Sequence, residues 1–390
     1  MTTPIRVGLM GLGQRGLQHL KAVWQLQEQG LAEIVALVDA FPENLVETKI
    51  QQYVPGFKAG QIFHTTNPLE VIEAKDKAHQ VDAFYVNIPP NVHKGEVVRA
   101  AKAGLHLFVE KPMSLFLDEA LEMEAAIAAA GVLSTVGFQQ RFDVRHEAMQ
   151  QFLADKQVVM ANYLLHAPIE SHWVKHTPTD RVGGPANRVW TANRAWSGTT
   201  LVEAGIPPLD LWRYWLGDVV WVQATYIHRP PEEVFDGADN PYAYSVNFGF
   251  ACGAVGSMIL SRLRRVYHTQ YEHMVLWNEG YLRFEGVEVA AYYYDGPYPP
   301  PQPPAEAEVR HGLLLAPPKN TTLEISRAFL EAIANNSPDL VRSSFSDAMN
   351  SLAAVIGANV SDELGGVRVD LADLLNAPNY ARFRQRPAGL

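Results

Sequence analysis

Ile5-Arg6-Val7-Gly8-Leu9-Met10-Gly11-Leu12-Gly13-Gln14-Arg15-Gly16 is the stretch that decides the fold of the N-terminal third. Its first six residues are typical of a short buried strand, and its last six carry the pattern GxGxxG. In this pattern Gly11 permits a tight turn, Gly13 lets a pyrophosphate approach the backbone, and Gly16 lets the next helix pack closely on the strand. The stretch therefore predicts a strand, a glycine turn and a helix whose N-terminus receives phosphates.

An acidic residue follows the second predicted strand. Ile34–Val38 is an apolar run that ends in Asp39. A carboxylate there accepts both ribose hydroxyls of an adenosine and repels a 2′-phosphate, so we expect NAD(H) in preference to NADP(H). The alternative is a plain strand-turn-helix with a surface aspartate. We expect the adenosine and pyrophosphate end of the cofactor to contact Gly11, Leu12, Gly13, Gln14, Arg15, Gly16 and Asp39.

Strands and helices alternate through the first third, as a doubly wound α/β sheet requires. The predicted elements are a strand over Val81–Ile88, a helix over Asn91–Ala103, a strand over Leu105–Val109, a helix over Ser114–Ala130 and a strand over Val132–Phe138. We therefore predict a Rossmann domain over residues 1–142.

The remainder, residues 143–390, has longer runs rich in aromatic and β-branched residues. They predict strands over Val158–His166, Val219–His228, Tyr244–Phe250, Ala254–Leu263 and Tyr271–Glu279. This pattern indicates an α+β domain with a large open, mainly antiparallel sheet. Because an exposed sheet face commonly binds a second copy of itself, we expect a homodimer or homotetramer through this sheet. The proline-rich segment 296–304 predicts a loop or arm.

Composition limits the classes of partner. The net charge of −10 argues against nucleic acid or an anionic membrane as a main partner. Cys252 is the only cysteine, which excludes a disulfide framework and fits a reducing cytoplasm. We find no export signal and no apolar run near ~20 residues, so we expect a cytoplasmic protein that does not enter the membrane.

Glu110-Lys111-Pro112 follows a predicted strand of the first sheet. Ligands of open α/β sheets bind at the carboxyl ends of the strands. Lys111 there could hold a substrate hydroxyl and stabilise the oxyanion that forms as hydride leaves. A solvated lysine at a strand end is the alternative interpretation of the same residue.

With these motifs in order, the chain resembles the Gfo/Idh/MocA oxidoreductases, which include glucose-fructose oxidoreductase and inositol dehydrogenases. The matching residues are the Gly11–Gly16 turn followed by His19, Pro89-Pro90-Asn91-Val92-His93, Glu110-Lys111-Pro112, Gly137-Phe138-Gln139-Gln140-Arg141-Phe142 and Leu216-Gly217-Asp218. The resemblance implies NAD(P)-dependent oxidation or reduction of sugars, cyclitols or related polyols. It also implies cofactor contacts at Pro89, Asn91, His93, Glu110, Lys111 and Gln139.

The family's second motif is altered in this chain. The family has an Asp, a His four positions later and another Asp three positions after that, whereas this chain has Glu203, Pro207 and Asp210. The resemblance implies that Lys111 and Glu203 are catalytic and that Asp210 contacts substrate. Proline cannot accept the hydroxyl proton that the family's histidine is expected to take. Pro207 and Pro208 also lack the N–H groups that a helix donates to the carbonyls of Glu203 and Ala204, so the helix should kink or restart there.

A replacement base could come from Lys111 itself or from the irregular segment 165–200, which contains His166, His172 and His176. Within it we expect substrate contacts from His172, Trp190 and Arg194, besides Lys111 and Glu203. His172 and His176 could share a helical face, but no third ligand follows at a diagnostic spacing, so we expect no metal site.

Three functions remain open at this stage. The first is an NAD-dependent sugar or polyol dehydrogenase or reductase. The second is a glycoside-cleaving enzyme that uses transient oxidation and regenerates its NAD, and the third is a dinucleotide-binding regulator without turnover. The persistence of Lys111 favours the first.

Overall fold

The computed structural model describes residues 3–169, 190–234 and 238–387, and its first layer is a parallel sheet. The strands of this sheet are β1 Ile5–Met10, β2 Ala32–Val38, β3 Phe63–Thr65, β4 Ala83–Val86, β5 His106–Val109 and β6 Ser134–Val136. They lie in the order β3-β2-β1-β4-β5-β6, and every pair is parallel. This is the doubly wound order, in which successive strands are added to one side of β1 and then, from β4 on, to the other, and this reversal opens a crevice at the carboxyl ends of β1 and β4.

The helices of the described residues fall into two sets. Those of the N-terminal part are α1 Gln14–Glu28, α2 Glu47–Gln51, α3 Leu69–Ile72, α4 Glu96–Lys102, α5 Leu117–Ala130 and α6 Val144–Leu153. Those of the C-terminal part are α7 Arg194–Ser197, α8 Ile206–Leu216, α9 Glu306–Val309, α10 Thr321–Asn335, α11 Phe345–Glu363, α12 Leu371–Asn376 and α13 Ala381–Arg384.

Two predicted helices begin later than expected. The helix predicted from Asn91 is preceded by a 3₁₀ turn over Pro90–Val92, and α4 starts only after Gly95, whose φ of +84° is the left-handed region. The helix predicted from Ser114 starts at Leu117, because the Ser114 hydroxyl accepts the N–H of Phe116 and thereby forms a turn instead. Because of both shifts, the residues that follow β4 and β5 lie outside the helices, in loops at the edge of the crevice.

The second sheet is large and mainly antiparallel. Its strands are β7 Val158–Pro168, β8 Val219–Ile227, β9 Ala243–Phe250, β10 Val255–Leu263, β11 Gln270–Trp277, β12 Gly280–Glu285, β13 Glu288–Tyr292, β14 Arg310–Gly312 and β15 Val369–Asp370. They lie in the order β14-β13-β12-β11-β7-β10-β9-β8-β15, and β7 pairs with β10 in parallel. The α/β fold with a second, mainly antiparallel sheet is thus confirmed. Segment 296–304 contains neither helix nor strand.

The chain returns to the first sheet after completing most of the second. α10 packs against α1, and its Ile325, Phe329 and Leu330 join the buried cluster that contains Leu9 and Leu17. The Phe329 ring meets those of Tyr85 and Phe108 edge-on, with ring centroids 5.9 Å apart in both pairs. The predicted division at residues 142/143 separates the two sheets, but part of the core of the first sheet comes from beyond it.

α11 covers the inner face of the second sheet and holds the segment before α8. Asn359 of α11 accepts the Thr199 hydroxyl at 3.0 Å and donates to the carbonyl of Gly198 at 2.9 Å. Thr199 has a φ of 150°, which is unusual for a β-branched residue, and its side chain is fully buried. The surrounding packing therefore fixes where the following helical segment begins. Among the described residues, no helix is long and apolar enough to cross a bilayer.

Candidate functional site

The glycine turn after β1 forms the floor of the crevice. A Cβ on Gly16 would lie 1.7 Å from the carbonyl oxygen of Gly11, and Gly11 itself has a φ of +84°. These two positions are therefore restricted to glycine by the packing of α1 against the turn. A Cβ on Gly13 would meet no described atom within 4 Å, so Gly13 faces open space. This is the division of roles that the sequence predicts for a turn approached by a pyrophosphate.

Asp39 lies at the end of β2 and is 6% exposed. Its Oδ2 accepts the N–H of Leu12 at 2.6 Å, and its Oδ1 accepts the N–H of Phe41 at 2.9 Å and the amide of Asn44 at 3.2 Å. Burial raises the pKa of the Asp39 carboxyl, although these hydrogen bonds oppose the change. The carboxylate is thus fixed beside the glycine turn, and its contact with a ribose remains a prediction.

Buried polar atoms surround the crevice without a hydrogen-bond partner among the described residues. They are Nδ2 and Oδ1 of Asn87, Oδ1 of Asn91, Oε1 of Gln139 and Nη2 of Arg15. Buried polar groups are normally hydrogen-bonded, and each exception calls for a cause. Asn87 follows β4, and Gln139 follows β6. These atoms are buried, so a ligand would reach them only after their side chains turn; the fit to a dinucleotide rests instead on the open space over Gly13 beside the Asp39 carboxylate.

Glu110 follows β5 and is almost fully buried. Its Oε1 accepts the Arg15 Nε at 2.7 Å and lies 2.6 Å from the His19 Nε2, and its Oε2 accepts the N–H of Lys111 at 3.1 Å. Burial alone would raise the pKa of Glu110, but the charge of Arg15 and the hydrogen bonds lower it to about 2. A Cβ on Gly137 would lie 2.6 Å from the carboxylate, so the neighbouring strand must also leave room for it.

His93 forms a second buried pair, with Glu96 at the start of α4. The His93 Nδ1 contacts the Glu96 Oε1, and the Glu96 Oε2 accepts the N–H of Lys94 at 2.8 Å. Both side chains are buried, and the hydrogen bonds lower the pKa of Glu96 although burial opposes them. The pair fixes the loop after β4, which carries Asn91 and Pro89.

Lys111 and Glu203, for which the family resemblance implies catalytic roles, contact each other in the structure. The Lys111 Nζ donates to the backbone carbonyl of Glu203 at 2.9 Å and to its Oε1 at 3.0 Å. Each side chain is 19% exposed, so the ion pair is largely shielded from water and still reachable. Lys111 is the next residue after Glu110, and the ion pair therefore lies at the edge of the crevice.

The helical segment at Glu203 changes register next to the two prolines. Leu201–Gly205 is a π-helical turn, and the α-helix α8 begins at Ile206 with Pro207 and Pro208 in its first turn. The predicted restart of the helix at the prolines is therefore confirmed. A Cβ on Gly205 would lie 2.7 Å from the Leu201 side chain and 3.3 Å from that of Leu260, so this turn packs closely on the second sheet.

Asp210 occupies a different environment from Lys111. It is 1% exposed, and its carboxylate accepts the Arg141 Nε at 2.7 Å and Nη2 at 2.6 Å. Asp347 of α11 also pairs with Arg141, at 2.8 Å. The predicted substrate contact of Asp210 would require this ion pair to open. The geometry is that of a link between the exit of the first sheet and α8.

Of the remaining predicted substrate residues, Arg194 has its side chain described, and it lies at another cavity. Arg194 lines a cavity of about 500 Å³ between α7, α11 and the C-terminal segment, and neither Lys111 nor Glu203 lines this cavity. Trp190 begins a 3₁₀ turn over Trp190–Ala192, and His172 lies outside the described residues.

Of the three histidines considered as replacement bases, His172 and His176 lie outside the described residues. His166 lies in β7, where its Nδ1 is 2.7 Å from the Ser261 hydroxyl. Its neighbours Leu165 and Ala167 belong to the buried cluster under α8, and successive side chains of a strand point to opposite faces. His166 therefore faces away from α8 and Lys111. Within residues 3–169, 190–234 and 238–387, no group of three or more His, Cys, Asp or Glu side chains is arranged to hold a metal.

Two residues of the crevice were not singled out for the site by the sequence analysis. Asn87 was assigned to a predicted strand, yet it is a polar residue two positions before Pro89, and it directly follows β4 as Glu110 directly follows β5. His19 was noted only for its place after the glycine turn. Its spacing from Arg15 puts both residues on one face of α1, which could have indicated that they share a partner.

The comparisons with known proteins agree with this geometry. Residues 5–138 match the GFO_IDH_MocA family, described as an oxidoreductase family with an NAD-binding Rossmann fold. The chain is 28% identical over 284 residues to the myo-inositol 2-dehydrogenase of Thermotoga maritima, covering 73% of this chain and 76% of that protein. It is 26% identical over 220 residues to the uncharacterized oxidoreductase YrbE of Bacillus subtilis, covering 56% of each. The match thus spans little more than half of that second relative.

A solved structure of similar fold is levoglucosan dehydrogenase in complex with NADH and L-sorbose. It matches with a TM-score of 0.72 at 19% identity and covers 95% of this chain and 99% of that one. At this identity the likeness shows the fold alone. The N-terminal part of the chain, residues 5–138, is thus similar to the NAD-binding Rossmann domain of the Gfo/Idh/MocA oxidoreductases.

The first prediction contrasts two glycines of one turn. Gly13→Ala should leave the free energy of unfolding within about 1 kcal/mol of wild type but weaken NAD binding about tenfold or more, because its methyl group points where the pyrophosphate approaches. Gly16→Ala should destabilise the fold by about 2 kcal/mol or more through its clash with the Gly11 carbonyl. Urea unfolding and NAD titration of both variants measure this. Unchanged NAD affinity in Gly13→Ala would contradict the assignment.

The second prediction concerns acid stability. A carboxyl group whose pKa is lowered by folding stabilises the native state above its unfolded pKa and loses that contribution as pH falls through the folded value. For Glu110 this window runs from 4.5 down to about 2. His19, whose burial and whose neighbour Arg15 lower its pKa from 6.5 to about 4, adds a loss between those two values.

Glu110→Gln should therefore lose up to about 3 kcal/mol of unfolding free energy at pH 7, and its stability should fall less between pH 4.5 and 2 than that of wild type. Glu122→Gln, on the exposed face of α5, is the control and should follow the wild-type curve. Parallel curves for Glu110→Gln and wild type over this range would refute the prediction.

The third prediction concerns the choice of cofactor. NAD should bind more tightly than NADP, and combining Asp39→Ser with Ala40→Arg should narrow the ratio of the two dissociation constants about tenfold or reverse it. The change removes a repelling carboxylate and supplies a guanidinium for the 2′-phosphate. Ala40→Arg alone is the control. Equal or tighter NADP binding by the wild-type protein would refute the preference.

Proposed function

We propose that the protein transfers a hydride between NAD(H) and a hydroxyl-bearing carbon of a sugar, cyclitol or related polyol. The observation that supports this most strongly is the Lys111–Glu203 ion pair at the carboxyl edge of β5, the edge that also carries the glycine turn. A bound nicotinamide supplies the hydride acceptor or donor. The chain itself must supply the group that binds the reacting oxygen and receives its proton.

Lys111 is suited to the first of these tasks. An ammonium group carries three N–H donors, and Glu203 accepts two of them. The third is available to a substrate hydroxyl, whose oxygen gains negative charge as the C–H bond breaks. A positive charge held at that oxygen stabilises the transition state more than the ground state, and this difference accelerates the reaction.

Glu203 is suited to the second task. Its carboxylate contacts the Lys111 Nζ, so a proton that leaves the substrate hydroxyl toward Lys111 can be balanced by one that moves from Lys111 to Glu203. After such a transfer Lys111 is again an ammonium and Glu203 is a neutral acid, so the pair has gained the one proton that the substrate hydroxyl has lost. No imidazole is required for this path, which fits a chain with proline at position 207.

The relatives support the substrate class. Proteins similar to this chain are named as dehydrogenases of inositol and levoglucosan, which are a cyclitol and an anhydrosugar. We further propose assembly through the outer face of the second sheet, where Met160, Ile227 and Ile259 are 38%, 60% and 41% exposed. Exposed apolar side chains on one sheet face are typical of an interface between copies.

A panel experiment tests the proposal. The protein with NAD is mixed with inositols, aldoses and anhydrosugars, and absorbance at 340 nm is followed. A stoichiometric rise with one compound supports the proposed reaction. Product release with unchanged absorbance would instead indicate transient oxidation, and NAD binding without any turnover across the panel would indicate a regulator; either result contradicts the proposal.

The fourth prediction is that Lys111→Ala retains NAD binding and a thermal transition near that of wild type while turnover falls about 10²-fold or more. The loss is expected because a charge that stabilises the reacting oxygen contributes several kcal/mol to the barrier. Lys102→Ala, an exposed lysine in the last turn of α4, is the control. Turnover by Lys111→Ala equal to that of the control would remove Lys111 from the mechanism.

A further inference from the structure

Glu203 contacts one ammonium group with both its backbone and its side chain. The Lys111 Nζ lies 2.9 Å from the Glu203 carbonyl oxygen and 3.0 Å from its Oε1. A carbonyl in a regular α-helix accepts the N–H of the residue four positions later. For Glu203 that residue is Pro207, which has no N–H to donate.

The two prolines are set against different carbonyls. Glu203 lies in the π-helical turn Leu201–Gly205, whereas positions 207 and 208 lie in the first turn of the α-helix α8. In the α-helical register an N–H at position 207 would be directed at the Glu203 carbonyl, and one at position 208 at the Ala204 carbonyl. Because position 207 is proline, the α-helix donates nothing to the Glu203 carbonyl, and Lys111, which follows β5 of the other sheet, reaches it instead.

We propose that Pro207 is a positioning residue that reserves the Glu203 carbonyl for Lys111. The consequence for turnover rests on the function proposed above, whereas the consequence for stability does not. Two acceptors on one residue fix the direction of the ammonium group, because the flexible side chain of lysine can satisfy both in few conformations. The third N–H then points in one direction, toward the crevice.

An alanine at position 207 would introduce a competing donor. Its N–H could donate to the Glu203 carbonyl and extend α8 by one hydrogen bond, in competition with Lys111. The lysine would keep the carboxylate and lose its second acceptor, so its orientation would broaden. A reactive group misplaced by about 1 Å can cost up to ~10²-fold in rate.

Pro208→Ala provides a matched control. In the α-helical register of α8 its N–H would be directed at the carbonyl of Ala204, and Lys111 does not contact that carbonyl. Both substitutions add the same methyl-bearing residue to the first turn of one helix. Both also raise the entropy of the unfolded chain in the same way. A difference between them therefore reports on the Glu203 carbonyl.

The test is a double-mutant cycle. Pro207→Ala and Pro208→Ala are each made in the wild-type and in the Lys111→Ala background, and unfolding in urea is measured without ligand. For each proline we compare the factor by which its replacement changes the unfolding equilibrium constant in the two backgrounds. If Pro207 acts through Lys111, Pro207→Ala should be more stabilising, or less destabilising, in the Lys111→Ala background, and the two factors should differ about fivefold or more. For Pro208→Ala the two factors should agree within about twofold.

Turnover supplies the second measurement. With a substrate found in the panel experiment, Pro207→Ala should lower kcat about tenfold with less than a twofold change in the dissociation constant of NAD, and Pro208→Ala should stay within about twofold of wild type. If Pro207→Ala changes the unfolding equilibrium constant by the same factor in both backgrounds, the inference is overturned, whether or not a substrate is known. A coupled cycle in a protein that turns over nothing would support the inference and contradict the proposed function alone.

Discussion

The buried carboxylate of Glu110 is the charge around which the crevice is built. An ionised group at 7% exposure is costly unless it is paired and hydrogen-bonded, and here Arg15 and His19 of α1 together with the N–H of Lys111 supply those contacts. The pairing ties α1 to β5. It also explains why β6 is followed by a glycine, because a side chain at position 137 would overlap the carboxylate.

The same contacts determine where Lys111 lies. Glu110 turns into the protein, and the next residue, Lys111, reaches outward to Glu203 in the other half of the molecule. The two sheets are joined nearby by the buried pair of Arg141 and Asp210, and again by α10, which returns to the core of the first sheet. Three separate connections thus hold the crevice and the π-helical turn in one arrangement. A site that needs alignment between cofactor and substrate benefits from such rigid support.

Local patterns in the sequence were sufficient for much of this description. The glycine turn, the alternation of strands and helices in the first sheet and the five longest strands of the second each follow from short local stretches of sequence, and the structure has all of them. The pairing of Lys111 with Glu203 was not predicted, since no local signal relates residues 92 positions apart; the family resemblance implied only that each is catalytic. The start of α4 was missed because the pattern of apolar residues continues through a 3₁₀ turn and a left-handed Gly95.

Other features depend on tertiary contacts that a single sequence does not reveal. α10 is an amphipathic helix by its pattern, and nothing in it specifies which of two sheets it covers. Asp210 could be assigned by position to a substrate, but its burial against Arg141 arises only when the exit of the first sheet folds over α8. To predict a long-range pair of this kind one must know where both partners lie in the fold, whereas a turn or a strand can be predicted from residues adjacent in the sequence.

Two separate contributions accelerate hydride transfer, and they show what a proline at position 207 would cost. A general base contributes ~10²–10⁴ in rate, and stabilisation of the developing oxyanion contributes a comparable or larger factor. Loss of an imidazole removes at most the first contribution. In the reaction that we propose, the Lys111–Glu203 pair supplies the second contribution, and its carboxylate receives a proton through the lysine. Because proline also lacks the N–H that would compete for the Glu203 carbonyl, the same proposal lets the residue that replaces an imidazole hold Lys111 in place.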